Sequence, residues 1–303
     1  MGEIKLLRLN GQDAIEIGAK SIQLEKSLQT VFEKNLDTFL GVRFLYSEYS
    51  TGKNHGGRID SIGLDENGCP VIIEYKRAIN QNVINQGLFY LDWLLDHKAD
   101  FKLLVMETLG NERADKIDWT APRLICVATA YTKYDQYAIR QINRNIDLLA
   151  YRRYGEDLVV LELVHSNSAV NALPGEGLDG VKDPQKVDRT VDYWLKELDQ
   201  SMLDIVEELR AFLLGLGEDV SEKQLKLYLA YRRIKNFACV VLQKKSLIVY
   251  IRLNPETITL EKEFTRDVRN ISHWATGDVE IIIRNKEDLH KAQPLIVRSY
   301  EES

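Results

Sequence analysis

The chain has 303 residues, of which 45% are hydrophobic and 28% charged, and its formal net charge is −6 at pH 7. That length suits two ordinary domains with sizeable cores. The acidic balance argues against a protein that coats DNA without specificity, but leaves room for local phosphate contacts. No apolar run approaches the roughly 20 residues needed to cross a bilayer. The first ten residues mix Glu3, Lys5 and Arg8 among apolar positions, unlike a signal peptide, so a cytoplasmic location without membrane attachment is expected. Cys69, Cys126 and Cys239 are too scattered for a disulfide framework or a zinc site and read as buried thiols.

In chain order, residues 4–9 predict a short strand. Helical spacing of Leu24, Leu28, Val31, Phe32, Leu36 and Phe39 predicts a helix over 22–40, with Ser21 as N-cap and Gly41 as its stop. A strand over 42–49 and a loop over 50–57 follow. Residues 58–64 and 71–76 read as an antiparallel hairpin around the turn Asp65-Glu66-Asn67-Gly68. A helix is predicted over 80–97, a buried strand over 123–129, a helix over 134–145, and strands over 146–152 and 158–164.

Residues 166–188 are rich in Asn, Ser, Gly and Pro and predict a linker between domains 1–165 and 189–303. The second domain should open with a helix over 190–214. Strands over 225–233 and 237–253 follow, the latter turning at Lys244-Lys245. A helix over 263–274, a strand over 279–283 and a helix over 286–300 complete it. The fold class expected is α/β, a mixed sheet flanked by helices, with a smaller α+β C-terminal domain.

The chemistry gathers on the predicted hairpin. Side chains alternate along a strand, so in Val71-Ile72-Ile73-Glu74-Tyr75-Lys76 the Glu74 and Lys76 side chains share a face. Asp60, early on the preceding strand, lies opposite the end that carries them. Two carboxylates brought together repel unless a cation joins them. Mg²⁺ prefers carboxylate and carbonyl oxygens and keeps several waters. Asp60, Glu74 and the backbone carbonyl of Tyr75 would supply three oxygens to Mg²⁺ or Mn²⁺. Lys76 would orient a water and offset developing negative charge. An E-x-K tripeptide alone is a common solvent-facing pair. Its context gives it weight: Gly56-Gly57 precedes Asp60, and Gln86 and Tyr90 share a face of the next helix. The preceding helix carries Glu25 and Glu33, either able to reach the site.

This order of helix glutamate, Asp, Glu-x-Lys and Gln-x-x-x-Tyr resembles the PD-(D/E)xK nuclease superfamily over roughly residues 20–130, most closely its RecB-type and EndoMS/NucS-like branches. Ile59 stands at the motif's proline position, a proline often missing in the superfamily. The resemblance implies a restriction-endonuclease-like fold and a Mg²⁺-dependent endodeoxyribonuclease acting in repair or in defence against foreign DNA. It assigns metal binding to Asp60 and Glu74, water assistance to Lys76, support to Gln86 and Tyr90, and an accessory role to Glu25. The C-terminal half resembles a domain of unknown function found in such proteins.

Further candidates for nucleic-acid contact are His55 and Arg58 near Asp60, and Arg232, Arg233 and Lys235 among the tyrosines of the second domain. A solvated strand face accounts for that second cluster equally. Gly175 to Gly180 matches G-x-G-x-x-G, but its linker setting argues against a dinucleotide site. Two other functions remain: a catalytically silent nuclease-fold module that binds nucleic acid or a partner protein, and an assembly component of a larger system. The intact Lys76 argues against the first. The apolar runs 88–95 and 212–216 suit a core or an interface, including that of a homodimer.

Overall fold

The structure is a computed structural model. It describes residues 4–20, 25–76, 83–169, 189–271, 273 and 275–303, and their side chains except those of Lys20, Glu25 and Asn54. The predicted cap Ser21, the stripe residue Leu24, the helix start at 80–82, most of the 166–188 linker and the Gly175–Gly180 motif lie outside the described residues. The chain divides into two units, Met1–Ile117 with Ala121–Asn171, and Asp118–Thr120 with Ala172–Ser303.

The first unit begins with an antiparallel pair, β1 (Leu6–Asn10) and β2 (Asp13–Ile17), turned at Gly11 with φ of 68°. After β3 (Ala19–Lys20) come α1 (Glu25–Leu40), β4 (Val42–Ser50), α2 (Gly52–His55), β5 (Arg58–Asp65) and β6 (Pro70–Lys76). Next are α3 (Val83–Asp96), α4 (Lys98–Leu109), α5 (Asn111–Ala114), β7 (Arg123–Ala128), α6 (Lys133–Arg140), β8 (Asn145–Tyr154) and β9 (Leu158–Asn167).

Among the described residues β3 to β9 form a seven-stranded sheet of order β3-β8-β7-β6-β5-β4, with β9 on β8, and β1 and β2 form a sheet of their own. Pairs β4–β5, β5–β6 and β8–β9 are antiparallel, whereas β6–β7 and β7–β8 are parallel. The sheet is therefore mixed, and helices flank it on both faces. Tyr75 meets Phe32 of α1 edge-on at 5.5 Å. On the other face, Ile72 pairs with Leu124, and a Cβ at Gly87 of α3 would come within 2.5 Å of a Leu124 methyl. Only glycine admits so close an approach of α3.

Leu28, Phe32, Leu36 and Leu40 of α1 are buried, while Val31 is exposed and lies off the stripe. Gly41, at φ of 64°, ends the helix by donating its N–H to the Asp37 carbonyl. The 50–57 loop contains the short α2, held as Thr51 and Gly57 exchange hydrogen bonds. Helix α6 starts at Lys133, where Thr132 and Asp135 form a capping box, and stops at Arg140 rather than 145. Strand β9 continues to Asn167, beyond the expected linker start.

The second unit contains α7 (Val191–Glu197), α8 (Gln200–Leu214), β10 (Ser221–Gln224), β11 (Leu229–Arg232), β12 (Asn236–Gln243), β13 (Ser246–Ile251), β14 (Thr265–Asp267), β15 (Val279–Ile283) and α9 (Lys286–Glu301). Its described strands form one antiparallel sheet of order β10-β11-β12-β13-β15-β14. The core joins Leu209 and Leu213 of α8 and Leu289 and Ile296 of α9 to Val249 and Ile281 of the sheet.

Two predictions need correction here. The single helix over 190–214 breaks at Leu198, where ψ is 141°, and restarts as the Asp199 side chain accepts the Met202 N–H. The helix over 263–274 is instead strand β14 with turns. Thr265 and Asp267 pair with Ile281 and Val279, and Glu263 has φ of 67°, incompatible with a right-handed helix. Among the described residues, no helix is long and apolar enough to cross a membrane.

Candidate active site

The β5–β6 ladder reaches Ser61↔Ile73 and goes no further. Beyond that pair, carboxylates take over the hydrogen bonds. The Asp60 N–H donates to Glu74 Oε1 at 3.2 Å, and the Tyr75 N–H donates to Asp60 Oδ2 at 3.0 Å. Each acidic side chain thus folds over the other strand, and the two converge at one strand end. Alternation puts both on the α3 face, with Lys76 two residues on from Glu74.

Glu74 is fully buried. Burial, and then the Asp60 carboxylate, push its pKa up from 4.5 to about 9, with Lys76 pulling in the opposite direction. One Glu74 oxygen, Oε2, is buried with no hydrogen-bond partner. A protonated Glu74 carboxyl can donate to the adjoining Asp60 carboxylate. Beside it in register lies Cys126, whose thiol burial and then Glu74 hold well above its ordinary pKa. Cys126 is therefore a neutral thiol rather than a nucleophile or ligand.

Tyr90 of α3 is buried, and its hydroxyl accepts the Arg58 N–H at 3.1 Å. A Cβ at Gly57 would stand 2.5 Å from the Tyr90 ring, so the glycine admits the ring against the chain leading to Asp60. Tyr90 positions the start of β5 rather than touching the carboxylates. Gln86, one turn earlier and half-buried, shares its helix face. The side chain of Glu25 lies outside the described residues. Glu33 sits on the α1 face of the sheet, accepting from Ser61 Oγ at 2.7 Å and Gln29 Nε2 at 2.9 Å. It does not join Asp60 and Glu74.

Gln29 itself was not anticipated. It is buried, and its Nε2 donates to the Asp60 carbonyl at 2.7 Å, fixing the main chain of the acidic residue from behind. The available signal was an amide on the apolar stripe of Leu28 and Phe32.

His55 stacks on Phe89 with centroids 3.8 Å apart, and its Nε2 lies 2.9 Å from the Phe89 carbonyl. Arg58 is exposed and pairs with Glu48 at 3.2 Å. In the second unit, Arg232 is buried, which removes it from the surface contacts expected of it. Arg233 bonds Asp219 at 2.5 Å and lies over the Tyr300 ring at 4.7 Å, so its charge is engaged within the unit. Lys235 sits in the β11–β12 turn, its carbonyl accepting the Arg233 N–H.

Among the described residues, no group of three or more His, Cys, Asp or Glu side chains is arranged to hold a metal. A cation here would have two carboxylates, with main-chain, water and phosphate oxygens completing its shell. That donor set suits Mg²⁺, and the partnerless Glu74 Oε2 is the kind of atom such a cation would engage.

Fold and site together define a mixed α/β protein with an acidic pair and a lysine at one strand end. A protein of Haemophilus influenzae, described only as uncharacterized, is 30% identical over 295 residues, covering 95% of this chain and 96% of that one. The chain belongs to the same family. Residues 190–303 match the model of a domain of unknown function, DUF5655. A structure described as a repair endonuclease from Pyrococcus abyssi aligns with 44% of this chain at 20% identity and a TM-score of 0.28. The match spans 50% of that endonuclease chain.

Proposed function

We propose that the first unit is a metal-dependent nuclease that hydrolyses DNA phosphodiester bonds at Asp60, Glu74 and Lys76. The observation that carries this reading is the buried, partnerless Glu74 Oε2 beside the Asp60 carboxylate. Burial and the adjoining Asp60 carboxylate disfavour an ionised Glu74, with Lys76 offsetting them only in part, and a bound cation would relieve that cost.

Asp60 and Glu74 would hold Mg²⁺ or Mn²⁺. The Tyr75 carbonyl leaves its strand on the same edge as the N–H that reaches Asp60, and would add a third oxygen. The bound ion would polarise the scissile phosphate and lower the pKa of the attacking water. Lys76 would orient that water and counter the charge that develops on the phosphate oxygens. Tyr90 holds the chain before Asp60 through Arg58, and Gln29 holds Asp60 from the opposite face. Gln86, on the helix face it shares with Tyr90, would bond substrate phosphate or water. The motif order shared with PD-(D/E)xK nucleases supports the same roles.

The test is a panel of labelled DNA and RNA structures incubated with Mn²⁺ or Mg²⁺. Wild type should cleave DNA. Asp60→Ala and Lys76→Ala should each lose cleavage by about 100-fold or more, the scale of removing a transition-state partner. Equal cleavage by wild type and Lys76→Ala would overturn the proposal.

A further inference from the structure

Helix α6 stands close in topology to the acidic pair, although none of its residues belongs to that site. It follows β7, whose last residue, Ala128, pairs in parallel register with Lys76. The β7–α6 connection thus leaves the sheet at the edge where Lys76 lies. In open α/β sheets ligands gather outside the carboxyl ends of parallel strands.

The local chemistry of α6 is unlike an ordinary solvated helix. Tyr134 and Tyr137 are 73% and 62% exposed. They are three residues apart and so share a face. Lys133 Nζ lies 5.3 Å from the Tyr134 ring centre, and Arg140 Cζ lies 5.1 Å from that of Tyr137. The helix's one acid, Asp135, is bound to Thr132, with the Thr132 N–H donating to its carboxylate at 2.7 Å. Residues 133–144 therefore carry Lys133, Arg140 and Arg144 against a single, already engaged carboxylate, in a chain of net charge −6. Cations interleaved with exposed rings complement a polyanion that also offers flat aromatic faces. Rings on the convex outside of a helix can stack only on bases that are not already stacked and paired within a duplex.

We propose that α6 is a binding track for single-stranded nucleic acid, with bases stacking on Tyr134 and Tyr137 and phosphates meeting Lys133 and Arg140. It rests on the proposed nuclease reading in one respect: the track delivers an unpaired strand to the Asp60/Glu74 end of the sheet.

The full chain is tested in metal-free buffer at low salt, by fluorescence anisotropy with labelled oligothymidylate, oligouridylate and a blunt DNA duplex. Wild type should bind a single strand more tightly than duplex. Tyr134→Ala/Tyr137→Ala should weaken single-strand binding at least tenfold, in line with about 1–3 kcal/mol per stacked base. Tyr134→Phe/Tyr137→Phe should retain it, because the rings remain, and thermal melts should place both variants near wild type. Tighter binding of oligothymidylate assigns the track to DNA; tighter binding of oligouridylate assigns it to RNA. Unchanged single-strand affinity in the double alanine variant, preference for duplex, or no binding by wild type each overturns the proposal. Binding is read without metal or hydrolysis, so a failure of cleavage would overturn the nuclease reading and leave this result standing.

Discussion

Glu74 in the first unit and Glu280 in the second are both glutamates buried on sheet strands, yet their surroundings differ in kind. Glu280 is met by Arg266 at 2.8 Å and by the Tyr250 hydroxyl at 3.0 Å. Both contacts fall on Oε2, so its charge is answered by its own unit. Glu74 is met by another carboxylate, with one oxygen left without a partner. Burial is common to both, so burial does not distinguish a site from a structural ion pair. The neighbour does: an arginine and a hydroxyl beside Glu280, a second carboxylate beside Glu74.

The largest expected effect breaks the comparison at Glu74 through pH. Folded Glu74 keeps its proton up to about 9, against 4.5 for an ordinary glutamate. The folded state therefore holds an extra proton between those values. The contribution of this group to metal-free stability should be fully present below about pH 4.5 and should fall as pH rises toward about 9, by roughly 3–6 kcal/mol. Urea melts of wild type and Glu74→Gln across that range measure it. The variant should lack this loss and exceed wild type at pH 8. A wild type that is no less stable at pH 8 than Glu74→Gln would remove the contrast.

A smaller effect comes from the cation. Mg²⁺ or Mn²⁺ at about 100 times its dissociation constant should stabilise wild type by about 2.7 kcal/mol. Calorimetric scans should show that rise in Tm for wild type and for Glu280→Gln, and none for Glu74→Gln or Asp60→Asn. A matching rise in Asp60→Asn would place the ion elsewhere.

The smallest effect sharpens the other side. Tyr250→Phe removes one donor from Glu280 and should cost about 1–2 kcal/mol, read as a lower urea midpoint, with cleavage unchanged. A stabilised variant would mean that Glu280 does not depend on that hydroxyl.

The hairpin and its three charged residues were legible because they obey local rules. Two-residue alternation fixes which side chains share a face, and antiparallel pairing fixes which end of one strand meets which end of the next. The structure places Asp60 and Glu74 at that end. What escaped depends on distant partners. Glu263, Arg266 and Arg269 give 263–274 a helical look, but Thr265 and Asp267 gain more from pairing with β15, a strand that begins at Val279. Gln29 reads as an interruption of an apolar stripe until the Asp60 carbonyl is known to lie beneath it. Helices α4 and α5 went unpredicted, and the amphipathic signal of α4 is weak, with only Phe101, Leu104 and Val105 buried. The division of α7 from α8 was available locally, in the capping residue Asp199, but the continuous run of helix-forming residues concealed it.

The crossing of Asp60 and Glu74 beyond the last ladder pair has a practical consequence for handling the protein. A one-residue slip between β5 and β6 would turn one acid to the opposite side of the sheet while leaving secondary-structure content almost unchanged. Circular dichroism would score such a molecule as native; metal uptake would not. On the proposed cation site, titration with a paramagnetic ion would count correctly registered molecules in a refolded batch, making the acidic pair an assay of its own folding.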